Sequence, residues 1–154
     1  MKKIIIAAAV IALAGAAWAQ HAADITIKPD TLKWVDVPAL PKGAQTATLV
    51  GDPTKPGELY VIRLKFPANY QVPPHTHPYA QQILTVISGD FALGHGDKFE
   101  KKGELLKAGT VVIHSAMNPH YVWTGNGETI LEATGIGPAV GINYLNSADD
   151  PRKK

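Results

Sequence analysis

"PPHTHPYAQQILTVISGD", residues 73–90, decides how this chain is read. A proline pair leads into His75 and His77, one residue apart. Gln81 and Gln82 follow, then an apolar run that ends at Gly89-Asp90. On extended backbone, residues i and i+2 project from one face, so both imidazoles reach a common point. "ILTVIS" (83–88) is short, β-branched and closed by a turn dipeptide, which is the pattern of a strand. A chelating pair is therefore set beside a strand whose register decides which glutamine shares its face.

Outward from this stretch the chain keeps the same character. "ELYVIRLKF" (58–66), "GTVVIH" (109–114), "HYVWTG" (120–125) and "ETILEATGIG" (128–137) read as further strands. Turn chemistry separates them: Gly51-Asp52-Pro53, Pro56-Gly57, Gly94 to Asp97, Gly125-Asn126-Gly127 and Gly137-Pro138. No segment after residue 20 sustains a 3.6-residue apolar period, and prolines and glycines are spread throughout. The expectation is an all-β, single-domain fold, an antiparallel barrel or jelly roll whose closure hides its strand edges. Residues 20–30 and 147–154 read as peripheral.

The 154 residues suffice for one domain. The first 19 have the layout of a secretory signal: Lys2 and Lys3, an apolar core from Ile4, and a small-residue end at Ala17-Trp18-Ala19. The division expected is a signal peptide over 1–19 and a β-barrel domain over 20–154, in a protein that is periplasmic or secreted. Without Lys2 and Lys3, basic and acidic residues balance at 13 each. That balance offers no basic excess for nucleic acid, or for a membrane surface after signal cleavage. There is no cysteine, which excludes disulfides, thiolate metal sites and cysteine nucleophiles.

A third imidazole is offered by His120, at the head of "HYVWTG". Antiparallel pairing of its strand with the first pair would set His120 opposite them. Three neutral imidazoles and one oxygen donor suit a single divalent ion of Fe, Mn, Ni, Cu or Zn.

These residues resemble the cupin superfamily. Its first motif, Gly-x5-His-x-His-x3 or x4-Glu-x6-Gly, is matched from Asn69 through His75, His77 and Gln82 to Gly89, with asparagine for the first glycine and glutamine for glutamate. Its second motif, Gly-x5-Pro-x-Gly-x2-His-x3-Asn, runs from Gly109 through Ser115, Met117 and His120 to Thr124. Residues 40–78, 93–102 and 135–154 look like small exported single-domain bacterial cupins (cupin 2-like). The resemblance implies a double-stranded β-helix and a metal held by His75, His77, His120 and a glutamine. Gln82 is preferred because it shares a face with Leu84 and Val86; Gln81 is the alternative, since one residue of slip flips every side chain. Either glutamine brings no negative charge and cannot act as a general base.

Around this set, His114, Tyr79, Arg63 and Tyr121 are candidate pocket residues. Each also has a plain reading as packing or surface. An inward Arg63 would pair with a substrate carboxylate. His95 reads as a turn residue, and His21 falls beside the expected cleavage point. Three functions stand at this stage. One is an oxygenase-like metalloenzyme for a small anionic or aromatic molecule. Another is a non-catalytic metal or small-ligand binding protein. The last is a structural barrel, a homodimer through an edge strand.

Overall fold

The structure, a computed structural model, describes residues 24–78 and 81–154. The signal peptide, His21 and Tyr79 lie outside the described residues. Ten strands follow in chain order: β1 (Val35–Asp36), β2 (Gln45–Val50), β3 (Leu59–Phe66), β4 (Gln71–Thr76), β5 (Gln82–Ser88), β6 (Phe91–His95), β7 (Val111–His114), β8 (His120–Thr124), β9 (Thr129–Ile136) and β10 (Asn143–Tyr144). They form two antiparallel sheets, a larger one ordered β1-β2-β3-β9-β5-β7 and a smaller one ordered β10-β4-β8-β6. No helix among the described residues is long and apolar enough to cross a membrane.

The strands follow from their sequence alternation. In β3, Tyr60, Ile62, Leu64 and Phe66 face the interior, while Arg63 sits on the opposite face and pairs with Glu132, its neighbour on β9, at 3.2 Å. In β5, Gln82, Leu84 and Val86 are buried. The core lies between the sheets, built on Phe66, Val72, Val86, Phe91, Val122 and Leu131. A second, smaller cluster forms on the outer side of the smaller sheet. There Tyr121, Trp123 and Ala92 are covered by Phe99 and Leu105 from the connection after β6. Both faces of β8 are therefore buried.

Two local expectations are corrected. Gly94, read as a turn residue, lies inside β6: a Cβ there would sit 2.3 Å from the Tyr121 ring, so the missing side chain is what lets that ring pack. The C-terminal tail is docked. Asp150 is buried and takes two bonds from the Arg152 side chain, which also donates to the Ile142 carbonyl at 3.0 Å.

The two motif departures that touch the backbone are visible. Asn69 has φ of 57° and Met117 has φ of 56°, the left-handed conformation that the usual motif gives to glycine. Thr124, in the asparagine position, is buried. Its hydroxyl accepts from the Tyr70 N–H at 2.8 Å and donates to the Pro67 carbonyl at 2.9 Å, tying the end of β8 to the turn before β4.

Candidate metal centre

Strand β4 carries the first pair of histidines. Pro73 and Pro74 lack N–H groups, and the ladder with β8 shifts between Val72 and His75. Beyond that irregularity His75 pairs directly with His120 on β8, and His120 pairs on its other side with His95 on β6. His75 and His120 are buried, and His77, just past the end of β4, is half-buried. Ring nitrogens of His75, His77 and His120 all lie within 4.8 Å of one another. The third donor expected across the sheet is thus beside the first two.

The orientation of each ring is fixed from outside. Nδ1 of His75 donates to the Pro73 carbonyl at 2.7 Å, that of His77 to Gly141 at 3.0 Å, and that of His120 to Asn118 at 2.9 Å. A carbonyl can only accept, so each Nδ1 carries the proton and each lone pair sits on Nε2. This is the arrangement in which backbone groups set the tautomer of a metal-binding histidine. Burial is the main reason all three resist protonation. It pushes His75 down to about 3, His77 to about 4 and His120 to about 2, with neighbouring imidazoles lowering His75 and His120 further. A neutral imidazole is the form that binds a metal.

The larger sheet supplies the facing wall. A row crosses it from β7 to β3: His114 pairs with Gln82, Gln82 with Gly135, and Gly135 with Tyr60. Gly135 has no side chain, and a Cβ there would lie 2.6 Å from the Tyr60 hydroxyl. The gap lets the phenol reach Gln82, whose amide nitrogen donates to it at 2.8 Å. Gln82 is buried and lines the interior, whereas Gln81 is exposed. The alternative register therefore points its glutamine to solvent, because the strand alternates about Gln82.

His75, His77, Gln82, His114 and His120 form one end of a cavity of about 260 Å³. The rest of its wall is largely apolar, including Val37, Leu40, Ile62, Leu64, Phe91 and Ile142. No charged side chain is among its described lining residues. Two expected pocket residues are absent from the wall. Arg63 is turned outward to Glu132, because Ile62 and Leu64 take the inward positions of β3. Tyr121 faces the outer cluster, because His120 and Val122 take the inward positions of β8. Thr46 and Thr48 on β2 line the cavity and were not anticipated; the alternation in "QTATLV" was the available signal.

No family model matches the chain, and no curated protein is similar to it in sequence. Solved structures are similar in fold. The polyketide cyclase RemF from Streptomyces resistomycificus aligns with a TM-score of 0.67 at 17% identity, over 85% of this chain and 92% of that one. An RmlC-like cupin from Shewanella frigidimarina gives 0.54 at 15% identity, over 82% and 96%. An oxalate oxidase gives 0.54 at 19% identity, over 79% and 63%. Two antiparallel sheets, with three histidines meeting between them, thus belong to a chain that has the cupin double-stranded β-helix fold.

Proposed function

We propose that this protein is an exported metal-dependent enzyme, oxygenase-like, acting on a small and largely apolar molecule that reaches the metal through an oxygen atom. The observation that carries the reading is the convergence of three buried, neutral imidazoles at one end of an apolar cavity, each with Nδ1 bound to a backbone carbonyl. His75, His77 and His120 would hold one divalent transition-metal ion, with the Gln82 carboxamide beside them. Such an ion supplies Lewis acidity and open positions for substrate and dioxygen.

The chain's own residues do the remaining work. Ile62, Leu64, Phe91 and Ile142 bind the apolar body of the molecule and exclude water from it. The neutral donor set leaves the ion's charge uncompensated, which favours an oxygen donor able to become anionic. With Arg63 turned away, an acidic substrate would find its positive partner in the ion itself. Solved structures of similar fold include a polyketide cyclase and an oxalate oxidase, which supports an oxygen-bearing substrate.

A non-catalytic carrier of the same kind of molecule is the second reading. It is favoured by one observation: among the described residues, no carboxylate lines the cavity to move a proton. Elemental analysis of the protein from its native compartment tests the common part; one transition-metal ion per chain is expected, and none would overturn both readings. Oxygen consumption against catechols, diketones and hydroxy acids separates them. Turnover supports the enzyme, and tight binding without turnover supports the carrier.

A further inference from the structure

We propose that His114 supplies a fourth imidazole to the same ion, making a shell of four neutral nitrogen donors with Gln82 as a hydrogen-bonding wall beside it. The proposal rests on the metal reading above and goes beyond its three histidines.

His114 is buried, and its Nε2 is enclosed with no hydrogen-bond partner among the described residues. Buried ring nitrogens are normally satisfied, and one left alone asks for a missing partner. The other three imidazoles have carbonyls on Nδ1; His114 has no such anchor. Its ring can turn without breaking a hydrogen bond.

Position supports the same partner. The His114 ring centre is 4.0 Å from that of His120 and 5.5 Å from that of His77. Within the triad the corresponding separations are 4.1, 4.8 and 5.2 Å. Two imidazoles bound to one ion, each nitrogen about 2.1 Å from it, hold their ring centres roughly 4.5–5.5 Å apart. His114 is thus spaced from its neighbours much as the triad's rings are from one another, and a small turn of its free ring would bring it to that separation, although it lies outside the triad with the closest nitrogens.

Gln82 is the competitor for this position, being the direct cross-strand neighbour of His114. Its carboxamide leans the other way, across Gly135 to Tyr60. The larger sheet thus offers a tethered amide and an untethered imidazole. For Zn, Ni or Cu the imidazole is the stronger donor. The resulting shell is uncharged and leaves room for the oxygen atoms of a bound molecule.

The test is to load the full mature protein and its His114→Ala variant with zinc. Imidazoles per ion are counted by X-ray absorption fine structure, and affinity is measured by competition with a chelator. Four imidazoles are expected in the wild type and three in the variant, with affinity about 10–100-fold lower. Three imidazoles in the wild type would overturn the proposal, leaving a water as the partner of His114. So would a variant whose affinity stays within about twofold. Should the variant fail to fold, the wild-type count decides alone. A wild type that binds no zinc or other transition metal removes the metal reading itself, which is a different failure.

Discussion

The two sheets contribute to the site in different ways. The smaller sheet offers His75, His77 and His120, with every ring held by a backbone carbonyl. The larger sheet offers Tyr60, Gln82 and His114, held by a side chain or by nothing. Backbone anchors cannot be exchanged by mutation, and they come with the fold. Side-chain anchors can be changed one residue at a time. The smaller sheet therefore sets where an ion sits, and the larger sheet tunes what the ion does there.

The largest effect expected from this division is the acid sensitivity of the metal-free protein. Unfolded histidines take protons near pH 6.5; His75, His77 and His120 do so in the folded protein only at about 3, 4 and 2. Between these values the unfolded chain binds more protons, so stability is lost as pH falls below 6.5. The loss is roughly 2 kcal/mol for each histidine by pH 5. Urea titrations at pH 7.5 and 5 measure it, and equal stabilities would show that the rings are not held neutral. Next, His75→Ala or His120→Ala is expected to lower metal affinity by more than about 100-fold, beyond any single change in the larger sheet. Chelator competition measures this, and a larger loss on changing Gln82 would reverse the division of labour. Gln82→Glu is expected to bind metal about tenfold more tightly, by adding a charge.

Two smaller effects concern the frame of the smaller sheet alone. Thr124→Val removes both hydrogen bonds of a buried hydroxyl and is expected to cost about 2 kcal/mol in urea unfolding. Met117→Gly relieves a left-handed methionine at φ of 56° and is expected to gain about 0.5–1 kcal/mol, with metal affinity unchanged. Loss of metal in that variant would tie the exposed loop to the chelate, through the bond from the Met117 N–H to the His77 carbonyl at 2.9 Å.

Much of the fold was legible in the sequence because it is periodic. β3, β7, β8 and β9 fall within the runs that alternation and turn dipeptides mark out, and β5 begins one residue before its run, at Gln82, which shares its face with Leu84 and Val86. The fate of Arg63 was equally readable, since Ile62 and Leu64 flank it, but an arginine in an apolar run invites a functional reading. Tyr121 was harder. β8 is buried on both faces, and its outer cover comes from Phe99 and Leu105, on a distant connection that local pattern cannot reveal. β2 and β6 were not marked out as strands because polar residues or a glycine interrupt their apolar signal, whereas β4 was expected only as the extended backbone that carries His75. The solitary Nε2 of His114 has no sequence signature; it exists only through what does not surround it.

Gly135 carries a consequence for how this protein tolerates change. It offers no ligand atom of its own, and its backbone pairing with Gln82 and Tyr60 would suit many residues. Yet any side chain there meets the Tyr60 oxygen, and through it the amide of Gln82. Even alanine at position 135 would push on the Tyr60 hydroxyl and disturb the bond that aims the Gln82 amide. In a mutational scan the position would score with the functional residues, although its contribution is an empty space.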